Sequence, residues 1–344
     1  MINKSLFGTM PDGRKVYNYT FIDSKGQSVT ISEYACAIIE SKVLAQDGKL
    51  YDVTLGYDTL NEYLQDTRNF GAIVGRYANR IALGQFTLNG VTYHLERNNG
   101  RNTLHGGVQS FRKKLFTSTL KDNCVEFKLE SPDLDCGFPG NFTLIERASF
   151  IDGALKMEYE YICDKDTPAS ITNHNYFNLN GHGNGSILNH ELIINAARYC
   201  KADNELLAAW PPVSVEGTPF DFRQAKKIID GIFTYSPELI NAKGGYDHCY
   251  ETPEHDKPAA IMKGDKTGIT LEVYSDMPAL QFYSGNSIGH TAGKNGAYYN
   301  DHEGFALECQ QFPNAMNINE PSCPNVIIKA GQLTKCYITY KFAC

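Results

Sequence analysis

Residues 151–162 read IDGALKMEYEYI, a turn dipeptide followed by alternating apolar and charged side chains. Asp-Gly supplies the positive φ angles that a two-residue hairpin turn requires. A repeat of two residues is typical of a strand that buries one face and exposes the other. This stretch therefore predicts a hairpin within an antiparallel sheet.

The same pattern recurs along the chain. Alternation predicts further strands at 91–97, 125–131 and 336–342, and turn formers stand at 88–91 and 329–332. Helical signals are few: a capping box at 59–66 and a Ser-Pro start with a Gly end at 236–245. Without crossover helices or a fixed repeat, a doubly wound fold, a propeller and a solenoid are disfavoured. We predict an all-β protein, one domain over 1–344, built as a large antiparallel β-sandwich with a few short helices.

Composition and charge argue against nucleic-acid and membrane partners. The 344 residues carry 32 Lys+Arg against 39 Asp+Glu, with no basic stripe that would bind a phosphate backbone, so we expect no nucleic-acid partner. No run of 18 apolar residues predicts a membrane span, and the first residues lack the apolar core of a signal peptide. Ten cysteines stand singly in a chain large enough to need no disulfides. We therefore expect a cytoplasmic protein with free thiols and no membrane contact.

Two glycine-bounded segments carry candidate ligand-binding side chains. GAIVGRYANRIALGQFTLNG (71–90) places Asn79 and Arg80 among apolar residues, and NNGRNTLHGG (98–107) places His105 in a loop. Arg80 is either a surface charge or a fork of donors for an anion or for sugar hydroxyls. His105 is either a loop histidine without a function or a ligand contact beside two glycines that permit close approach. Both alternatives stay open on this evidence.

A third segment, ITNHNYFNLNG (171–181), is unusually polar for a strand. In strand geometry Thr172, His174, Tyr176 and Asn178 share one face. An edge strand against solvent would explain this row, and so would a strand that faces a ligand.

The fourth segment is GFALECQQFPNAMN (304–317), in which Glu308 stands in an apolar run. A buried carboxylate has a raised pKa unless donors compensate, and it makes a good general base or acid when it faces a cleft. The alternative is a glutamate that points outward from an edge strand, because Ala306 and Gln310 share its face.

Other chemistries lack support in the sequence. The histidines at 174, 182 and 190 are spaced eight residues apart, which matches no zinc-binding pattern, so we expect no metal. No nucleophile elbow, phosphate-binding loop or dinucleotide fingerprint occurs, so we expect no cofactor. YDHCY (246–250) adds one more carboxylate, Asp247.

Taken together, these segments resemble the aldose 1-epimerase (galactose mutarotase) family. The motifs follow one another in order from about Thr30 to near the C-terminus: GRYANRIALGQFTLNG, NTLHGG, TNHNYFNL, GTPFDFR, YDHCY and LECQQFPNAMN. The resemblance implies the galactose mutarotase-like supersandwich and an isomerase that interconverts the α and β anomers of free aldohexoses such as galactose and glucose. It implies Glu308 as the general base and His174 as the general acid. The residues that it implies in sugar binding are Asn79, Arg80, His105, His174, Tyr176, Asp247, Gln281 and Glu308.

Three positions depart from the family pattern: Cys249 stands where Asn is usual, and Asn314 and Met316 replace Asp and Pro. None is an implied proton-transfer residue, so we expect catalysis to be kept and local packing to change. The expected partner is a small sugar, and the expected state is a monomer or a weak dimer. Two rival functions remain: a relative acting on a phosphorylated hexose, which predicts extra Lys and Arg around the pocket, and a sugar-binding module without catalysis.

Overall fold

The computed structural model describes residues 1–344 and consists mostly of strands. In chain order, the strands are β1 (Ile2–Thr9), β2 (Lys15–Ile22), β3 (Ser28–Ser32), β4 (Ile38–Leu44), β5 (Leu50–Asp52), β6 (Ile73–Val74), β7 (Arg80–Ile81), β8 (Gln85–Leu88), β9 (Val91–His94), β10 (Thr103–Leu104), β11 (Thr117–Leu120), β12 (Val125–Ser131), β13 (Phe142–Ile151), β14 (Ala154–Cys163), β15 (Thr167–Pro168), β16 (Thr172–Asn173), β17 (Glu191–Ile194), β18 (Arg198–Tyr199), β19 (Val213–Ser214), β20 (Lys226–Lys227), β21 (Asp247–Glu251), β22 (Ala260–Lys263), β23 (Thr270–Ser275), β24 (Ala279–Tyr283), β25 (Thr291–Ala292), β26 (Tyr298–Tyr299), β27 (Ala306–Gln310), β28 (Ile327–Ile328) and β29 (Thr334–Ala343). The helices are α1 (Leu60–Gln65), α2 (Ile229–Ile232) and α3 (Pro237–Asn241), with 3₁₀ turns at Ala82–Gly84, Phe111–Lys113, Asp135–Gly137, Lys294–Gly296 and Ala315–Asn317. The predicted all-β class with a few short helices is confirmed.

Three larger sheets organise these strands, and every pairing within them is antiparallel. The largest has nine strands in the order β11-β12-β13-β14-β29-β23-β22-β17-β20. A five-stranded sheet, β1-β2-β3-β4-β5, is formed by the N-terminal strands, and a second five-stranded sheet has the order β19-β18-β21-β24-β27. We call this last one the site sheet, because its strands β21, β24 and β27 carry three of the candidate site residues.

The hairpin predicted at 151–162 is confirmed. Ile151 pairs with Ala154, and Asp152 and Gly153 between them have φ angles of 50° and 76°. The strand at 125–131 is also as predicted, whereas the strand predicted over 91–97 ends at His94. Beyond it the Glu96 carbonyl accepts from the Thr103 hydroxyl, so the chain has turned toward another segment.

The predicted helix starts and the turn at 329–332 are confirmed in part. Thr59 and Glu62 form the predicted capping box on α1, and α3 begins with Pro237 at its first turn. The turn at 329–332 closes through the amide of Gln332 and the carbonyl of Lys329. It does not form a hairpin, because β28 pairs with β15 while β29 joins the nine-stranded sheet. The longest of the three helices, α1, has six residues, so none of them could span a bilayer.

Alternation on the site sheet separates a core face from a polar face. Leu280, Phe282, Leu307 and Cys309 belong to the main apolar core, where the Tyr340 hydroxyl of the nine-stranded sheet donates to the Leu307 carbonyl. Because successive side chains of a strand point to opposite sides, the intervening residues of β24 and β27 lie on the other face. This register brings Gln281 and Glu308 side by side as a cross-strand pair.

One acidic side chain lies within the core of the large sheet. Glu146 on β13 is fully buried between its cross-strand neighbours Phe127 and Tyr159, and burial raises the pKa of its carboxyl group from 4.5 to about 8. Below about pH 4.5 both the folded and the unfolded chain keep this proton. Between there and pH 8 only the folded chain keeps it, so this group lowers the free energy of unfolding by about 1.4 kcal/mol for each pH unit of rise.

We expect Glu146→Gln to remove this pH dependence. The free energy of unfolding should increase by about 2–4 kcal/mol near pH 7.5 and change little near pH 5, because glutamine has the same shape and no proton to lose. Urea unfolding followed by tryptophan fluorescence at the two pH values measures the difference. Glu158→Gln, at a half-exposed position of the same hairpin, is the matched control. An equal gain at both pH values would contradict the assignment.

Candidate active site

A polar cavity of about 320 Å³ opens beside the site sheet. Only 5 of its 18 lining residues are hydrophobic, so it suits a ligand with many hydrogen-bonding groups. Among the residues predicted from the sequence, the cavity is lined by Asn79, Arg80, His105, His174, Tyr176, Asp247 and Glu308. Gln281 does not line it.

His174 and Glu308 form a buried pair in the wall of the cavity. The backbone of His174 is held on both sides, since its amide donates to the Ala72 carbonyl at 2.8 Å and its carbonyl accepts from the Gly71 amide at 3.1 Å. Glu308 is held by its place in β27. The two side chains are 5% and 2% exposed at the residue level, and His174 Nε2 lies 3.6 Å from Glu308 Oε1. This separation is too long for a direct hydrogen bond.

Burial shifts the pKa values of these two groups in opposite directions. It raises the pKa of Glu308 well above the ordinary carboxyl value; the negative charge of Asp247 raises it further, and Arg80 opposes the shift. Burial lowers the pKa of His174 to about 4. Both shifts favour the uncharged forms, a protonated carboxyl group and a neutral imidazole, so the pair shares one titratable proton that each group can in turn give or take. Glu308 Oε2 and His174 Nδ1 have no partner within the protein.

A second polar group is centred on Asp247 at the start of β21. Arg80 Nη2 lies 3.5 Å from Asp247 Oδ2, and Arg80 Nε donates to the Asn99 side-chain carbonyl at 3.1 Å. The amide of Gln281 donates to the other Asp247 oxygen. Gln281 therefore contacts Asp247 and does not line the cavity, and its contact with the sugar stays a prediction.

His105 and Asn79 are joined by two hydrogen bonds at the cavity wall. The His105 amide donates to the Asn79 carbonyl at 3.0 Å, and the Asn79 amide donates to His105 Nδ1 at 3.2 Å. A neutral imidazole that accepts at Nδ1 carries its proton on Nε2, so this nitrogen is a donor. The glycine after His105 is required by close packing: a Cβ at Gly106 would collide with the carbonyl oxygen of Gly75.

The same neighbourhood also contains the one cluster with metal-ligand chemistry. Donor atoms of His105, His174 and Glu308 all lie within 4.8 Å of one another. Two imidazoles and a carboxylate are ligands that zinc accepts. The bond from Asn79 to His105 Nδ1, however, leaves His105 Nε2 protonated and unable to coordinate. The residues present therefore do not form a ready three-ligand site, and the expectation of no metal stays a prediction.

The segment 171–181 is not the continuous strand that its polar row predicted. Only Thr172–Asn173 form a strand, β16, Phe177 makes isolated bridges, and every residue from 171 to 181 is buried. His174 and Tyr176 line the cavity, with their rings stacked 4.8 Å apart, whereas Thr172 and Asn178 do not line it. Asn178 instead donates to the carbonyls of Gly185 and Glu303. The backbone leaves strand geometry here, so alternation assigns these two residues to the wrong surroundings.

Several cavity residues were not predicted from the sequence. They are Thr67, Arg68, Asn69, Asn99, Leu104, Leu206, Ala242, Lys243, Tyr283, Asn286 and Ser287. The polar run at 66–69, directly before the glycine-bounded segment 71–90, was an available signal for the first three. Of the others, Leu104 ends β10 and Tyr283 ends β24, and the rest lie in loops that no periodic pattern places near the site.

The three departures from the family pattern lie outside the cavity lining. Cys249 is 2% exposed and is the cross-strand neighbour of Gln281 on the site sheet. The Asn314 side chain accepts from the Ala82 amide at 2.9 Å, and Met316 packs against an apolar cluster around Tyr77 and Phe312.

The architecture and the cavity together define a β-sandwich protein with a buried acid/base pair in a polar site. The family model described as Aldose 1-epimerase matches residues 17–341. The chain belongs to the aldose 1-epimerase family, and it is an enzyme of the isomerase class.

Similar proteins span nearly the whole chain. Galactose mutarotase of Sus scrofa is 38% identical over 334 residues, covering 96% of this chain and 95% of its own. Aldose 1-epimerase of Escherichia coli (strain K12) is 34% identical over 337 residues, with 96% of each covered. The crystal structure of galactose 1-epimerase from Lactobacillus acidophilus NCFM superposes with a TM-score of 0.86 at 25% identity, covering 100% of this chain and 98% of that one. The predicted galactose mutarotase-like fold is therefore confirmed.

Proposed function

We propose that this protein is a mutarotase that interconverts the α and β anomers of free aldohexoses such as galactose and glucose. The observation that carries the proposal is the 3.6 Å separation of His174 Nε2 and Glu308 Oε1 inside a polar cavity. Anomer exchange opens a hemiacetal: one proton leaves the C1 hydroxyl and another reaches the ring oxygen. These two oxygens are bonded to the same carbon, so the two proton-transfer groups must also lie close together.

In the proposed mechanism Glu308 is the general base and His174 the general acid. In the reactive complex the titratable proton of the pair is on His174, and Glu308 is ionised. Glu308 takes the proton of the C1 hydroxyl while His174 protonates the ring oxygen, and the C1–ring oxygen bond breaks. Rotation about the C1–C2 bond exposes the other face of the aldehyde. The two residues then exchange roles, and the ring closes with the opposite configuration. Each group can supply roughly 10²–10⁴-fold of the acceleration.

The remaining predicted residues are proposed to hold the sugar. Arg80 and the Nε2–H of His105 are donors for sugar oxygens, and Asp247 is an acceptor for ring hydroxyls. Tyr176 stacks on His174 and supports its orientation, and Asn79 fixes the His105 tautomer. We assign Gln281 a positioning role through Asp247.

Polarimetry tests this function directly. Freshly dissolved α-D-galactose and α-D-glucose should relax to their equilibrium rotations faster with the protein than without it, and the two rates rank the sugars. Saturable sugar binding without acceleration would support the non-catalytic binding module. If no common aldose relaxes faster than it does spontaneously, the proposed function is wrong.

Four further proposals concern the domain organisation, the oligomeric state, the partners and the location of the enzyme. We propose that residues 1–344 act as a single domain, that the protein is a monomer or a weak dimer, and that it has neither a nucleic-acid nor a membrane partner. A cytoplasmic location is supported by the ten cysteines, all of which are thiols in the structure. Size-exclusion chromatography with light scattering would measure the oligomeric state.

A further inference from the structure

The outer part of the cavity contains charged groups that anomer exchange does not use. Arg68 and Lys243 line the same cavity as His174 and Glu308, together with Ser287. Arg68 is half-buried and Lys243 is exposed. A neutral aldose can be bound by amides, hydroxyls and a single ion pair. Two additional cations in the same cavity suit a ligand that carries a negative charge.

Hydrogen bonds tie the chain segments that carry these two cations to one loop segment. Arg68 Nη1 donates to the Ser287 carbonyl at 2.9 Å. The neighbouring Asn286 side chain donates to the carbonyl of Ala242 at 2.7 Å, and Ala242 directly precedes Lys243. The chain segments around residues 68, 243 and 287 are therefore tied together. Arg68 and Lys243 flank the 286–287 segment, and we call this part of the cavity the outer subsite.

The charges of the cavity do not cancel in the outer subsite. Arg80 is paired with Asp247, and the only other lining carboxyl group is Glu308 at the inner end, beside His174. Asp66 lies two residues before Arg68 but is buried and does not line the cavity. Its carboxylate accepts hydrogen bonds from the Tyr57 hydroxyl and from the backbone amides of Arg68 and Phe70. Neither Arg68 nor Lys243 forms an ion pair within the chain, so both charges are available to a ligand.

The donor geometry of the outer subsite suits an anion. With Nη1 engaged by Ser287, Arg68 keeps Nε and Nη2 for two parallel hydrogen bonds to a carboxylate or phosphate, and Lys243 adds a point charge. We infer that the enzyme also accepts aldoses that carry an anionic group, either a carboxylate or a phosphate, bound by the outer subsite while C1 lies between Glu308 and His174. This inference rests on the proposed mutarotase function and extends its substrate class.

The test compares neutral and anionic aldoses in the same assay. NMR exchange spectroscopy measures catalysed α/β exchange of D-galactose, D-galacturonate and D-galactose 6-phosphate for the wild type, Arg68→Gln and Lys243→Gln. We expect the ratio of kcat/KM for the anionic sugar to that for galactose to fall about tenfold in Arg68→Gln and about threefold in Lys243→Gln, since the second charge is exposed. The ratio should also fall as salt is added.

Matched controls remove cations outside the cavity. Arg14→Gln and Lys257→Gln, both in exposed ion pairs, should leave the ratio unchanged. Exchange of galacturonate alone identifies a carboxylate ligand, exchange of the phosphate alone identifies a phosphate ligand, and exchange of both identifies a general anion subsite. The inference is overturned if the enzyme accelerates α/β exchange of neither anionic sugar, or if Arg68→Gln and Lys243→Gln do not lower the ratio of the two kcat/KM values. Failure of the proposed mutarotase function gives a different result, because α/β exchange of galactose itself would then not be accelerated.

Discussion

The Glu308→Gln variant is expected to lose most of the catalysed mutarotation, with kcat about 10²–10⁴-fold lower than in the wild type. That loss corresponds to about 3–5 kcal/mol of transition-state stabilisation. Glutamine keeps the size and the hydrogen-bonding carbonyl of glutamate, but it cannot accept the proton of the C1 hydroxyl. Polarimetry on α-D-galactose at saturating sugar measures the effect, and KM should change much less than kcat.

The fold should survive this substitution. Glu308 is buried with one carboxylate oxygen unpartnered, so a neutral isostere removes a charge that the protein is poorly able to solvate. The thermal midpoint should therefore stay the same or rise. Glu146→Gln is the matched control, because Glu146 is also a buried glutamate on a strand but does not line the cavity. If Glu308→Gln retained near-normal kcat, the base would have to be another group, and Asp247 would be the candidate.

The His174→Asn variant is expected to lose a comparable share of activity, again about 10²–10⁴-fold in kcat. Asparagine cannot carry a transferable proton, so the ring oxygen would have to be protonated by water. The backbone bonds of residue 174 to Ala72 and Gly71 do not depend on the side chain, and folding should be kept. Circular dichroism and the thermal midpoint check this second expectation.

His105→Asn separates the acid from a binding histidine. His105 Nε2 is a donor whose tautomer is fixed by Asn79, so its loss should raise KM more than it lowers kcat. His174→Asn should show the opposite pattern. Near-normal turnover in His174→Asn, with a collapse of kcat in His105→Asn, would reverse the two roles.

The strands were predictable where the surroundings are regular. The hairpin around Asp152 and Gly153 and the strand at 125–131 follow from local rules, because alternation and turn chemistry act over a few residues. The same rules failed at 171–181, where the backbone pairs for only two residues and then runs through isolated bridges. Alternation assigns a face only while the strand continues, and for this reason Thr172 and Asn178 were misplaced.

The sequence predicted several of the residues that belong to the candidate site, but it did not predict how their side chains are arranged. Glu308 stood out as a carboxylate in an apolar run and His174 as a histidine in a polar row, and the ordered motifs joined them to one family. Gln281 shows the limit: its motif position suggested contact with the sugar, but its amide is used to hold Asp247. Arg68 and Lys243 were missed because they lie in loops, whose positions depend on contacts with distant segments.

Short patterns and residue types were enough to predict the antiparallel β class and to name the candidate proton-transfer groups. Which of the similar side chains share a cavity depends on how distant segments pack. Arg76 and Arg80 belong to one motif, yet Arg76 is buried against the carbonyls of Pro139 and Gly140 while Arg80 pairs with Asp247. The 3.6 Å gap between His174 and Glu308 likewise depends on where two distant segments pack against each other. Local patterns contain no information about such distances, because strand pairing and core packing set them.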